Sequence, residues 1–283
     1  MIPVVGRFAP SPSGDLHFGS LVAAVGSYLE AKSADGKWLI RIEDIDPPRE
    51  VRGSARRIIE DLESLGMTAD APILFQSTRL AAYQRALDIL LENGLAFACA
   101  CTRKDLPASG VYPGTCRNGV KKGKQARSIR FLAEDLPETF TDLVQGTITG
   151  EIDDFIIRRA DGLFAYQLAV VVDDHFQGIT QVVRGGDLLD STVRQIALQK
   201  ALGFATPQYM HLPVVTGNDG RKLSKRDSAD PVMGQDPAHA VSRALRFLGQ
   251  NPPENLALDM LWAWAIQHWK PELIPREKTS LTA

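Results

Sequence analysis

Arg7-Phe8-Ala9-Pro10-Ser11-Pro12-Ser13-Gly14-Asp15-Leu16-His17-Phe18-Gly19-Ser20 reads as a short apolar strand, a turn broken by proline and glycine, and the start of a helix. A strand, turn and helix in this order bring an imidazole and the first amides of a helix to one place. Helix N-termini bind anions, phosphate above all. Toward the other end stands Lys222-Leu223-Ser224-Lys225-Arg226, preceded by Gly217-Asn218-Asp219-Gly220. Two ammonium groups on a glycine-hinged loop can follow charge along a polyphosphate and stabilise it where it develops. Each feature alone has an ordinary reading, a turn histidine and a solvated basic loop. Their pairing is what points to nucleotide chemistry.

Working outward, Val4–Ala9 is the strand and Gly19–Ala34 the helix, with Leu21, Val25 and Leu29 on one face. Lys37–Glu43 reads as a buried strand and Asp44–Pro48 as a loop. Ser54–Leu65 and Arg79–Glu92 read as helices, the first capped by Gly66. This alternation predicts a parallel sheet covered by helices. From Cys99 to about Gly150 the pattern changes: turn residues cluster between Pro107 and Gly123, and short strand-like pieces follow at Ser128–Leu132 and Thr147–Ile152. That stretch reads as an insertion. Alternation then resumes with an apolar strand at Phe164–Val172, a helix at Leu188–Leu202 and a strand at His211–Val215. Helices at His239–Leu248 and Leu256–Trp269 follow, with Trp262, Trp264 and Trp269 as core packing. The expected fold is α/β, a Rossmann-like doubly wound parallel sheet with an inserted subdomain and a short helical C-terminal region. Its segments are 1–98 and 153–205 for the two halves of the sheet, 99–152 for the insertion and 206–283 for the lysine loop and last helices.

The 283 residues suffice for a substantial core, and 44% hydrophobic with 23% charged residues excludes disorder and fibres. A formal charge of −2 neither argues for nor against a nucleic-acid partner, since a basic face can sit inside a neutral total. No leader pattern opens the sequence, and no run of about 18 apolar residues could span a bilayer. A cytoplasmic protein without a membrane partner is expected. Three cysteines, Cys99, Cys101 and Cys116, lie close together, which disfavours a disulfide framework and raises a metal clip. Three thiolates and an oxygen such as Tyr112 can complete a tetrahedral zinc site, and buried free thiols are the alternative.

Arg7, Glu43, Tyr166 and Arg184 each follow or end an expected strand, where ligands of parallel sheets bind. Two guanidiniums and a phenol make a receptor for a carboxylate, and Glu43 can accept an ammonium group. Strand-edge ion pairs are the competing reading for each. Asp173-Asp174-His175 reads as a polar network at a strand end. The basic set Arg117, Lys121, Lys122, Lys124, Arg127 and Arg130 can face either a phosphate backbone or solvent.

Taken in order, five strings resemble the catalytic half of glutamyl-tRNA synthetases, class I aminoacyl-tRNA synthetases. They are the Arg7–Ser20 stretch, Leu39–Arg49, Asp154–Ala169, Val183–Leu189 and Lys222–Lys225. The large helical anticodon-binding region of those enzymes does not follow the lysine loop. With the cysteine cluster, that pattern is similar to the stand-alone paralogue family that glutamylates queuosine in tRNA(Asp). The resemblance implies a ligase that activates L-glutamate with ATP and Mg2+ and passes it to queuosine-containing tRNA(Asp). A shortened enzyme charging the acceptor end and a non-catalytic tRNA-binding paralogue are the alternatives. By the same resemblance His17 and Lys225 are catalytic. Pro10, His17, Gly19, Ser20, Lys222, Ser224 and Lys225 would hold ATP. Arg7, Phe8, Ala9, Pro10, Ser11, Glu43, Tyr166 and Arg184 would hold glutamate, and Cys99, Cys101, Tyr112 and Cys116 one structural Zn2+. A monomer is expected.

Overall fold

The structure is a computed structural model that describes residues 3–133, 137–216, 236–276 and 279–280. The chain opens with strand β1 (Val5–Phe8), helix α1 (Phe18–Ser33) and strand β2 (Lys37–Ile42). Helix α2 (Ser54–Ser64) leads to the short strand β3 (Leu74–Phe75), then helix α3 (Leu80–Glu92) and strand β4 (Ala96–Cys99). After a long loop come β5 (Ser128–Phe131), β6 (Glu138–Asp142), β7 (Gly146–Gly150) and β8 (Ile156–Arg158). Helix α4 (Tyr166–Phe176), strand β9 (Gln181–Gly185), helix α5 (Leu189–Ala201), β10 (Gln208–Leu212) and β11 (Val215–Thr216) follow. Helices α6 (Pro237–Phe247) and α7 (Leu258–His268) precede a last strand, β12 (Thr279–Ser280), which pairs with β11.

β1, β2 and β3 pair in parallel in that order, and β9, β10 and β6 do the same. β1 and β9 meet where the Thr180 amide donates to the Val5 carbonyl at 3.0 Å and the Val5 amide donates to the Thr180 hydroxyl at 2.9 Å. From β1 the chain crosses through α1 to one side, and from β9 through α5 to the other. Strand order thus reverses between β1 and β9, and the space beyond their carboxyl ends is where such folds hold ligands. β4, β5 and β8 form a separate antiparallel sheet.

The amphipathic spacing of α1 holds: Leu21, Val25 and Leu29 are fully buried, in a core shared with β1, β2, α6 and α7. Trp262 belongs to that core, with Trp264 and Trp269 packed against it. Gly26 has a steric reason, since a Cβ there would sit 2.6 Å from a Leu212 methyl, inside any real contact. No helix among the described residues is long and apolar enough to cross a membrane.

Two expectations are corrected. Phe164–Val172 is not a strand: Tyr166–Phe176 is the helix α4, and every residue from Leu168 to Asp174 is buried. A short run of valines carries no period that separates a strand from a helix buried on all sides. Residues 138–150, expected inside the 99–152 insertion, form the β6–β7 hairpin, and β6 pairs with β10 at Asp142 and Tyr209.

Candidate active site

A cleft of about 520 Å³ opens beyond β1 and β9. Arg7, Phe8, Ala9, Pro10 and Ser11 line it from the end of β1, and His17, Gly19 and Ser20 from the start of α1. Glu43 enters just after β2, Tyr166 from the first residue of α4 and Arg184 from β9. Lys222, Ser224 and Lys225 lie outside the described residues.

His17 is the N-cap of α1. Its Nδ1 accepts the Ser20 amide at 3.2 Å, and its Nε2 lies 3.0 Å from the Ser20 hydroxyl. The imidazole thus does what a serine or aspartate does at most helix starts. A Cβ on Gly19 would stand only 3.2 Å from the ring, so glycine lets the imidazole lie over the first turn.

The floor of the cleft is a buried charge network. Asp174 Oδ1 accepts Arg7 Nε at 3.1 Å and an Arg41 amino group at 2.6 Å. The other Arg41 amino group reaches Glu43 Oε1 at 3.3 Å. Two guanidiniums therefore face two carboxylates. Burial raises the Asp174 carboxyl, but Arg41 and Arg7 outweigh it and hold it below the ordinary range. For Glu43 burial wins over the same two arginines and its pKa is raised. Arg7 spends only Nε on Asp174, and its amino groups meet no partner among the described residues.

Arg184 is held by neutral groups. Its Nε donates to His211 Nε2 at 3.1 Å, and its amino groups reach the Thr192 hydroxyl at 2.8 Å and the Tyr166 hydroxyl at 3.3 Å. Tyr166 opens a helix, near the start of the strand expected at Phe164–Val172. Sequence reading missed the residues behind the wall: Arg41, Thr192, His211 and Asp142. An arginine inside the apolar run Trp38-Leu39-Ile40-Arg41-Ile42 was the available signal for one of them. Asp173-Asp174 does form a satisfied network, on α4 rather than at a strand end. Asp173 accepts Arg79 Nε and Gln76 Nε2, each at 3.0 Å, and the Tyr83 hydroxyl.

The three cysteines converge, all Sγ atoms within 4.8 Å of one another. Cys101 and Cys116 Sγ are 3.7 Å apart, and the Tyr112 hydroxyl lies 3.5 Å from Cys99 Sγ and 3.9 Å from Cys101 Sγ. Tetrahedral bonds of about 2.3 Å put zinc-bound sulfurs about 3.8 Å apart, so the donor set fits that ion. Burial raises the Cys99 thiol, but the Tyr112 hydroxyl, the Cys101 amide and Arg130 bring it down to about 7. Arg130 is not a phosphate-facing side chain: it donates to Cys99 Sγ at 3.4 Å and stacks on Tyr112 at 3.9 Å. Arg117 is drawn inward too, binding both oxygens of Asp154 at 2.7 and 3.0 Å.

The chain matches the family model of tRNA synthetases class I (E and Q), catalytic domain, over residues 3–110 and 112–256. It is 50% identical over 295 residues to a glutamyl-Q tRNA(Asp) synthetase of Dechloromonas aromatica, covering 99% of this chain and 98% of that one. The glutamyl-Q tRNA(Asp) synthetase of Serratia proteamaculans is also 50% identical, over 97% of this chain and 93% of that one. Among solved structures, a glutamate tRNA ligase from Elizabethkingia meningosepticum in complex with its amino acid superposes with a TM-score of 0.82 at 27% identity, over 99% of this chain and 67% of that one. Matched by this family model over most of its length and by these relatives over 97–99% of its residues, the chain belongs to the class I glutamyl- and glutaminyl-tRNA synthetase family, in its glutamyl-Q tRNA(Asp) synthetase branch.

Proposed function

We propose that this chain activates L-glutamate with ATP as glutamyl-adenylate and transfers the glutamyl group to the queuosine base at the wobble position of tRNA(Asp). The observation that carries this reading is the composition of one cleft, lined both by Arg7, Arg184, Tyr166 and Glu43 and by the His17-capped helix start. The first four suit an amino acid with a second carboxylate, and the helix start suits a phosphate.

Arg7, Tyr166 and Arg184 bind the side-chain carboxylate, and Glu43 binds the α-ammonium group. The α-carboxylate, already ionised, attacks the α-phosphorus of ATP and pyrophosphate leaves, so no general base is required. Alignment and charge stabilisation remain as the protein's task. ATP enters as its magnesium complex, against Pro10, His17, Gly19 and Ser20. Lys222, Ser224 and Lys225 complete the phosphate site on the strength of their sequence pattern. A hydroxyl of the queuosine cyclopentenediol then attacks the activated carbonyl, AMP departs, and an ester results.

Cys99, Cys101, Cys116 and Tyr112 hold one zinc ion, which supplies a structural cross-link for a loop with little apolar core of its own. Arg130 steadies the Cys99 thiolate that such an ion needs.

Labelled glutamate supplied with ATP and tRNA, with or without queuosine, tests the acceptor. Label is expected only on queuosine-containing tRNA(Asp). Label on unmodified tRNA(Glu) would move the function to acceptor-end charging, and absence of glutamate-dependent pyrophosphate exchange would leave a tRNA-binding protein without catalysis.

A further inference from the structure

Behind Arg184 stand two buried residues that do not line the cleft, His211 in β10 and Asp142 at the end of β6. Because Arg184 Nε–H points at His211 Nε2 from 3.1 Å, that nitrogen carries no proton. The ring proton is then on Nδ1, which lies 2.6 Å from Asp142 Oδ2. Asp142 is itself fixed. Its Oδ1 accepts the amides of Val144, Gln145 and His211 at 3.0, 2.8 and 3.2 Å. Burial disfavours protonation of His211 and Arg184 adds to it. Together they outweigh Asp142, so the histidine stays neutral.

The contrast with the two buried arginines of the cleft floor gives the arrangement its meaning. Arg7 and Arg41 are matched by Asp174 and Glu43. Arg184 makes no ion pair among the described residues; an imidazole, a phenol, a hydroxyl and a carbonyl hold it. A carboxylate at position 211 would orient the guanidinium equally well and cancel its charge. A neutral acceptor orients it and leaves the charge intact.

We propose that His211 and Asp142 are positioning residues for amino-acid selection: Asp142 sets the tautomer of His211, and His211 aims Arg184 as an uncancelled charge that only a substrate carboxylate satisfies. The proposal rests on reading the cleft as a glutamate site. Glutamine has the same shape but would leave the guanidinium buried without a counter-charge, which is the physical basis of its rejection.

Two measurements test this. Pyrophosphate exchange with glutamate and with glutamine is compared for the parent and for His211→Leu, His211→Gln and Asp142→Asn. His211→Leu is expected to raise the glutamate KM by about 10- to 100-fold with a smaller change in kcat, to narrow the glutamate-to-glutamine ratio, and to leave the ATP KM in place. His211→Gln, whose amide can accept from Arg184 and donate to Asp142, is expected to recover most of the loss. Parental KM and selectivity in both His211→Leu and Asp142→Asn would overturn the proposal. So would a loss shared equally by glutamate and ATP that His211→Gln does not relieve. Should His211→Leu fail to fold, the other two variants decide by the same criteria. Independently, two-bond ¹H–¹⁵N correlations on ¹⁵N-histidine-labelled parent protein read the ring directly. The signal that vanishes in His211→Gln is expected to be a neutral ring with its proton on Nδ1, and an imidazolium or an Nε2–H ring would overturn the proposal. No glutamate-dependent exchange by the parent would remove the glutamate reading and this proposal with it. Exchange that is present but indifferent to the variants removes this proposal alone.

Discussion

Asp174 sets the energetics of the cleft floor, because one oxygen serves two guanidiniums. Asp174→Asn leaves Arg7 and Arg41 short of one counter-charge at a site closed to water. Breaking a buried pair from one side costs about 3–5 kcal/mol, and urea unfolding at neutral pH should show a loss of that order. The pH dependence has a definite sign. Asp174 has a folded-state pKa below its unfolded value, so its stabilisation is complete above the unfolded carboxylate range, about 3.9, and is lost as pH falls through the folded value. Glu43 acts oppositely. Its folded value is raised, so its own contribution is present at low pH and lost as pH rises through that value. The acid limb of stability should therefore flatten in Asp174→Asn and not in Glu43→Gln. In binding, Glu43 must be ionised to accept an ammonium group, so the glutamate KM should climb with acidification starting above the ordinary glutamate range, near 4.3. Arg184→Leu should weaken glutamate use and relax rejection of glutamine. Losing one partner of a buried charge pair costs about 2–5 kcal/mol, and competitive pyrophosphate exchange measures it.

Among the elements, α4 and the cysteine loop teach the most. Leu168 is fully buried in α4, among α3, β8 and α5 residues. Leu168→Ala should cost about 2–5 kcal/mol by the usual transfer and cavity terms; a cost near zero in urea unfolding would mean the helix is not wedged as described. This element was the least legible in the sequence, because β-branched residues and burial on every face erase the 3.6-residue period. Its two ends were legible as chemistry all the same, since Tyr166 and Asp173-Asp174 are polar groups bracketing an apolar run. β1, α1 and β2 were read nearly to the residue, their turn chemistry and periodicity agreeing. The β6–β7 hairpin could not be placed, because nothing local to Glu138–Gly150 encodes pairing with a strand that comes sixty-odd residues later (β6 with β10). For the cysteine loop, Cys116→Ser should reduce zinc from about one ion per chain toward none by elemental analysis and lower the melting temperature. Zinc retained at the parental level would exclude Cys116 as a ligand.

At the scale of the whole molecule, one sheet reversal gathers residues from five separate parts of the chain. Spacing could nominate Arg7, His17, Glu43, Tyr166 and Arg184, but only the fold puts them around one cavity. The partners buried behind them were out of reach of sequence reading, since Arg184, His211 and Asp142 come from three elements with no shared pattern. The cationic side chains lining the cleft among the described residues are Arg7, Arg49 and Arg184, with no lysine. On the function proposed above, Lys222 and Lys225 would add charge for the phosphates. Lys225→Ala should slow adenylate formation by at least about 100-fold, the scale of one preorganised donor, as read by pyrophosphate exchange. Activity near the parental value would remove Lys225 from the reaction.

Gly26 has a reach beyond its own packing. Helix α1 presses on Leu212 at that point with no spare volume. One end of the helix bears His17, roughly 13 Å away at 1.5 Å per residue, and Leu212 is the chain neighbour of His211. The glycine thus packs one helix between the residue proposed to meet ATP and the residue proposed to aim Arg184. Gly26→Ala touches neither substrate, yet it should disturb the kinetic constants for both together. A joint change in both Michaelis constants would show that one packing contact reaches both binding functions proposed for the cleft.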